Sequence, residues 1–190
     1  DPAATGSGGA VVPEISPDGR KLAFAARDAQ GKLVLWVRSL DALTAQPLLG
    51  TGDDALLPFW SPDSQSLGFF AGGQLKRVDA AGGPVQTICD AVDGRGGTWN
   101  AEGTIVFASR TGVGLYRVAA AGGQPVPITS GSVGAHRLPS FLPDGRHFLY
   151  IAIPGGLYVG SLDGGEPKSL FRSDSGAMFS AGHLLFVRQG

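Results

Sequence analysis

The sequence predicts an all-β fold: a β-propeller of four-stranded antiparallel blades, about four complete and a fifth half-formed. Three observations predict it. First, one phrase recurs: a hydrophobic residue, a spacer, Pro, an acidic residue, then Gly or Ser. It reads Ile15-Ser16-Pro17-Asp18-Gly19, Trp60-Ser61-Pro62-Asp63-Ser64 and Phe141-Leu142-Pro143-Asp144-Gly145. A weaker copy is Trp99-Asn100-Ala101-Glu102-Gly103, and a degenerate one is Phe179-Ser180-Ala181-Gly182. The acidic positions 18, 63, 102 and 144 are 45, 39 and 42 residues apart, the length of one propeller blade. Second, each phrase is followed by alternating large apolar residues. Third, 31 Gly and 13 Pro in 190 residues, without a triplet period, fit many tight turns between short strands.

Each repeat unit lays out as four strands. The first leads into the acidic turn: Val11 to Ile15, Leu56 to Trp60, Thr98 to Trp99, Leu138 to Phe141. In that turn Pro pre-sets φ, the carboxylate can accept nearby backbone amides, and Gly permits a left-handed exit. The Asp residues are therefore assigned a structural role rather than a catalytic one. The second strand alternates, as in Leu22 and Phe24, Leu67 and Phe69, Ile105 and Phe107, Phe148 and Tyr150, Leu184 and Phe186. The residues between these are also apolar or small, so both faces are expected to be buried between neighbouring blades. The third strand begins at Leu35, Leu75, Leu115 and Leu157. It ends in a Gly-rich turn at Gly82-Gly83, Gly122-Gly123 and Gly164-Gly165. The fourth starts with Pro47, Pro84, Pro125 or Pro167. Proline lacks an amide hydrogen and suits the outer edge of a blade. No segment longer than a turn carries a 3.6-residue apolar period with caps, so almost no helix is expected.

The units divide as roughly 11–50, 51–90, 91–130 and 131–173, with a partial unit at 174–190 and a linker-like stretch at 1–10. The last unit has no third or fourth strand, and the N-terminal stretch carries no spare strand to complete it. The chain reads as part of a longer propeller, and its open blade edges are expected to be covered by partners or by self-association.

Bulk composition excludes several classes. The formal net charge is −1 with no basic run, so nucleic acid is not an expected partner. No apolar stretch is long enough to insert in a bilayer as a helix. The single Cys89 cannot form an internal disulfide. There is no Gly-x-Ser-x-Gly nucleophile elbow, and Ser132 and Ser175 lack the strand-to-helix setting one needs. His136, His147 and His183 lack zinc-site spacing, with His147 and His183 expected to face solvent. Gly94-Arg95-Gly96-Gly97 has no helix behind it to cradle phosphate. Asp163 to Glu166 offers too few oxygens for a calcium loop. No metal, cofactor or catalytic residue is expected.

Several strings carry a family resemblance. Ser16-Pro-Asp-Gly-Arg-Lys-Leu-Ala-Phe24, Leu35-Trp-Val-Arg-Ser-Leu-Asp41 and Pro58-Phe-Trp-Ser-Pro-Asp-Ser64 resemble WD-like, TolB-type propeller repeats. More narrowly, Leu75 to Pro84, Cys89 to Asn100 and Phe141 to Tyr150 resemble the propeller regions of bacterial, acidobacterial-type receptor serine/threonine protein kinases. That resemblance implies a sensory or docking propeller attached to a kinase domain, outside the cytoplasm. No kinase motif is present in this segment, which has no Gly-rich loop with Val-Ala-Ile-Lys, no His-Arg-Asp and no Asp-Phe-Gly.

What remains is a surface. The fourth-to-first and second-to-third loops share one propeller face and vary in length between units. Variable loops on a rigid frame are where recognition concentrates. Asp53, Asp54, Asp93, Arg95, His136 and Arg137 are the candidate ligand-binding residues there. Capping of loop backbone is the alternative use of each. The expected function is a non-catalytic binding, sensory or protein-interaction module of a larger bacterial signalling protein, with an unidentified protein or small molecule as ligand. The alternatives are an accessory propeller gating a hydrolase or peptidase, and a structural fragment that self-assembles.

Overall fold

The computed structural model describes residues 13–52, 54–110, 114–130, 134–173 and 175–187. Among them are eighteen strands and no helix. The first sheet is β1 (Glu14–Ile15), β2 (Lys21–Arg27), β3 (Leu33–Ser39) and β4 (Gln46–Pro47). The second is β5 (Leu56–Trp60), β6 (Ser66–Ala71), β7 (Gln74–Asp79) and β8 (Gln86–Asp90). The third is β9 (Gly97–Trp99), β10 (Thr104–Ala108), β11 (Leu115–Ala119) and β12 (Val126–Pro127). The fourth is β13 (Ala135–Phe141), β14 (His147–Ile153), β15 (Gly156–Ser161) and β16 (Lys168–Phe171). A hairpin, β17 (Ala177–Ser180) and β18 (His183–Phe186), follows.

Every four-stranded sheet is an antiparallel meander in sequence order. The first strands of successive sheets lie side by side, β1 by β5, β5 by β9, β9 by β13 and β13 by β17. This places them innermost, around a common axis. The expected open, partial propeller is what forms. The strand boundaries shift by a few residues: β3 starts at Leu33 rather than Leu35, and β13 starts at Ala135 rather than Leu138. Val11 and Val12, expected in the first strand, lie outside the described residues.

The acidic turn works as its chemistry suggests. Asp18 Oδ1 accepts the Ser16 hydroxyl at 2.5 Å and the Arg20 amide at 3.0 Å. Asp63 repeats this with Ser61 at 2.6 Å and the Gln65 amide at 3.0 Å. Asp144 accepts the Arg146 and His147 amides at 3.0 and 2.9 Å, and its Oδ2 meets His147 Nδ1 at 2.6 Å. These bonds favour the charged carboxylates. The Asp144 carboxyl is held down at about 2, first by the His147 amide, then by its ring and by the Arg146 amide. In the weaker copy Asn100 fills the spacer position, and its Oδ1 accepts the Thr104 amide at 2.8 Å.

Turns also stitch one blade to the next. The Asp18 amide donates to Ser64 Oγ at 3.1 Å, and Asn100 Nδ2 donates to the Gly145 carbonyl at 2.8 Å. Nearer the axis, Trp60 Nε1 donates to the Glu14 carbonyl at 2.9 Å.

Four apolar clusters fill the junctions between successive sheets. Ala23, Leu35 and Val37 meet Trp60, Leu67 and Phe69 at the first junction. Phe70 and Leu75 meet Ile105 and Phe107 at the second. Val106 and Leu115 meet Phe148 and Tyr150 at the third, and Leu149 and Leu157 meet Ala177 and Leu184 at the fourth. Alternate residues of one strand thus serve opposite neighbours, which is why the inner strands read as continuously apolar. Aromatic rings lie on strand glycines here. A Cβ at Gly68 would fall 2.3 Å from the Phe59 ring, and one at Gly160 would fall 2.6 Å from the Phe148 ring.

The inner strands also bend at residues that carry no turn chemistry of their own. Leu57 and Leu138 both take φ of 49° within the inner strand, each just before a proline and each at a break in register. Gly96, at the matching point of the third repeat, has φ 105°. These are bulges that bend the inner strand where it enters the loop face.

Candidate functional site

The candidate surface is the face carrying the fourth-to-first and second-to-third loops. The backbone between β8 and β9 is fixed there before any side chain is considered. The Arg95 amide donates to the Ala108 carbonyl at 2.9 Å, and the Ala108 amide donates to the Gly96 carbonyl at 3.0 Å. The Arg110 amide donates to the Val92 carbonyl at 2.9 Å. The Arg95 carbonyl accepts the Leu138 amide, across the blade boundary, at 2.9 Å. The loop between β8 and β9 is therefore held by its own sheet and by the next one.

On this frame Asp93, at φ 52°, projects a carboxylate between two guanidinium groups. Arg95 Nη2 lies 2.5 Å from Asp93 Oδ2, and Arg110 Nη1 lies 3.8 Å from the same oxygen. The Arg110 side chain is 77% exposed. Two arginines against one carboxylate leave a local positive excess facing solvent. Arg110 is not among the sequence-derived candidates. Its signal is its place just after the second strand of the third repeat, on the same face as Asp93.

The other candidates separate. Asp54 is exposed in the loop between β4 and β5, with φ 62°. Asp53 lies outside the described residues. His136 and Arg137 were expected in a loop and are instead on β13, paired across to Ala152 and Ile151. Their strand begins at Ala135 because its ladder to β14 extends beyond the bulge at Leu138. Arg137 is half-buried, and its neighbour Leu138 donates the amide that reaches Arg95.

His136 is correspondingly an interior group, 3% exposed. Thr129 Oγ1 accepts the Leu115 amide at 2.7 Å and lies 2.7 Å from His136 Nδ1. One hydrogen bond joins the Thr129 hydroxyl to Nδ1, its direction set by the imidazole tautomer. The ring sits 4.5 Å from the Tyr150 ring. Among the described residues neither His136 Nε2 nor the Tyr150 hydroxyl has a hydrogen-bond partner. Burial lowers the His136 pKa and pushes the Tyr150 hydroxyl up to about 12. His147 and His183 are exposed, as expected.

Two further features lie elsewhere. An open groove of about 460 Å³ runs between the first and second sheets, lined by Lys21, Val37, Gln46, Leu49 and Ala80 to Gly83. It is made by outer strands and the turn after β7, on the side away from the rim loops. Cys89 is buried, and burial followed by the neighbouring Asp90 charge pushes its thiol up to about 11, away from thiolate chemistry. Among the described residues no three His, Cys, Asp or Glu side chains group as metal ligands.

No protein-family profile matches the chain, and no curated protein matches it. Solved structures do. A protein from Agrobacterium tumefaciens assigned as a TolB superposes with a TM-score of 0.74 at 19% identity, over 92% of this chain and 73% of its own. TolB from Acinetobacter baumannii superposes at 0.65 and 22% identity, over 84% of this chain and 45% of its own. A chain of a nidogen/laminin complex superposes at 0.74 with 9% identity, over 93% of this chain and 70% of its own. The fold is a β-propeller, as in these structures. At these identities the likeness establishes the architecture.

Proposed function

We propose that this chain is a non-catalytic, protein-binding propeller module that reads its partner with the rim built around Asp93, Arg95 and Arg110. The observation that carries this reading is the tethering of that cluster. Its backbone is bonded to β10 and to β13, so the loop itself has little left to order on binding. The guanidinium of Arg110 is mostly in solvent and suits a carboxylate on the partner. The solved neighbours named TolB support the propeller frame. Attachment to a serine/threonine kinase, and a place outside the cytoplasm, rest on the sequence resemblance described above.

The test is cross-linked capture of partners from cells of the source organism. Three baits are compared: the unaltered chain, Arg95→Ala/Arg110→Ala, and Arg77→Ala, which removes an arginine bonded to Gln86 on an outer strand. Capture of a defined partner should fall at least about tenfold with the rim variant and stay unchanged with the outer one. Equal capture by all three retires the rim.

A further inference from the structure

We propose that the groove between the outer parts of the first and second sheets binds a small carboxylate with an aliphatic body. The groove follows from a difference between repeats. Val37 is paired with Gln46 on the outer strand. The equivalent residues are Arg77, paired with Gln86, and Arg117, paired with Val126. Arg77 engages Gln86 Oε1 at 2.7 and 2.9 Å. Arg117 crosses to the next sheet, where its Nη1 lies 3.4 Å from the Leu162 carbonyl. Val37 is too short for either reach, so the place that an arginine takes in the next two repeats stays open. The turns after the third strands differ too. The Gly123 amide donates to the Ile88 carbonyl at 3.4 Å, closing its turn onto the second sheet. At the equivalent turn after β7, a Cβ added to Gly82 or Gly83 would meet nothing within 4 Å. The result is an opening of about 460 Å³, the size of a small-molecule site.

The lining sets the chemistry of the ligand. Val37, Leu48 and Ala80 give it buried apolar side chains, and Leu49 stands beside them 80% exposed. An aliphatic body laid there covers Leu49 and removes that surface from water. Three residues along the same opening carry hydrogen-bond donors: the Lys21 ammonium, the Gln46 side-chain amide and the Gly83 backbone amide. Among the described residues none of these three donors has a hydrogen-bond partner, although the equivalents Gln86 and Gly123 are both engaged. Lys21 forms no ion pair among them and acts on Asp18 through its field alone. No acidic side chain of the described residues lines the opening. A cation is therefore disfavoured and an anion is drawn in. A carboxylate offers acceptors to the donors and a counter-charge to Lys21, while the apolar lining selects an aliphatic remainder. The opening lies on the side away from the rim loops, so binding here is separable from capture at Asp93, Arg95 and Arg110.

Titration of sodium octanoate into the 190-residue chain, followed by amide nuclear magnetic resonance, tests this. Saturable shifts should centre on Leu49, Ala81 and Gly83. Octanamide keeps the body and loses the charge. It should bind at least about fivefold more weakly, and so should octanoate to Lys21→Met. Val37→Arg restores the side chain of the next two repeats and should abolish saturable binding. If circular dichroism shows Val37→Arg to be unfolded, Leu49→Asp replaces it, since position 49 is exposed. Shifts that never saturate overturn the proposal. So do shifts centred on other exposed apolar residues such as Ile15, which would show general adhesion. Equal affinity for octanamide, or of Lys21→Met for octanoate, also overturns it, as does binding that survives the groove-filling variant or its replacement.

Discussion

Gly68→Ala asks whether ring-on-glycine packing sets the spacing of the second and third blades. An alanine Cβ at position 68 would lie 2.3 Å from Phe59 Cζ and 2.4 Å from Cε2, where ordinary contact is 3.4–4 Å. The ring must retreat by more than about 1 Å, judged against that contact distance. It has nowhere to go, because a Cβ at Gly97 of the third sheet would also fall 2.4 Å from the same ring. Phe70 stands beside it at 6.3 Å between centroids. Overpacking costs about 1–3 kcal/mol, and a ring closed on both sides belongs at the upper end. Replacing Gly by Ala returns up to about 1 kcal/mol through the unfolded chain. The net loss is then ~2 kcal/mol, which at a typical urea slope moves the unfolding midpoint down by about 1 M. Adding Phe59→Leu should relieve the clash, giving a favourable coupling of at least about 1 kcal/mol in a double-mutant cycle. A Gly68→Ala midpoint equal to or above the parent's, or strict additivity with Phe59→Leu, would refute the reasoning.

Two further predictions concern protons. Burial raises the Glu14 carboxyl from its ordinary 4.5 to about 7, so the folded chain prefers the neutral acid. Stability is then lost as pH rises from about 4.5 to about 7. Glu14→Gln should be neutral near pH 4 and stabilising by up to ~3 kcal/mol near pH 8, measured by urea unfolding. The same gain at both pH values would show that ionisation is not the cause. His136 has the opposite sense. Burial holds its pKa below the ordinary 6.5, so the unfolded chain takes the proton first and stability falls as pH drops through that value. His136→Gln should flatten the slope of the unfolding midpoint between about pH 7.5 and about pH 5.5. An unchanged slope would assign the acid sensitivity to another group.

The blades were legible because each strand serves two packed neighbours, so residues such as Leu67, Gly68, Phe69 and Phe70 announce a buried strand without ambiguity. The acidic turns were legible because Pro, Asp and Gly each act locally there. The site was less so. His136 and Arg137 look like loop residues because they are polar and follow Ser, Gly and Ala. Only the ladder partners Ala152 and Ile151, distant in sequence, draw them into β13. Arg110 was overlooked because, of the second-to-third loops, only the one between β2 and β3 was weighed, although the one between β10 and β11 is longer. The left-handed leucines 57 and 138 could not be read from their own side chains, since leucine disfavours that conformation. The trace in the sequence was Gly96, at the equivalent point of the one repeat where glycine takes it.

Those three bends govern how the loops can vary. Below each one the pairing of the inner strand resumes identically: Phe59 and Trp60 against Gly68 and Leu67, Thr98 and Trp99 against Val106 and Ile105, Ser140 and Phe141 against Leu149 and Phe148. The bend acts as a zero mark from which alignment restarts, whatever length of chain arrives from above. Insertions and deletions in the collar of loops are absorbed before the first interlocking pair, so recognition can drift while the frame beneath keeps its count.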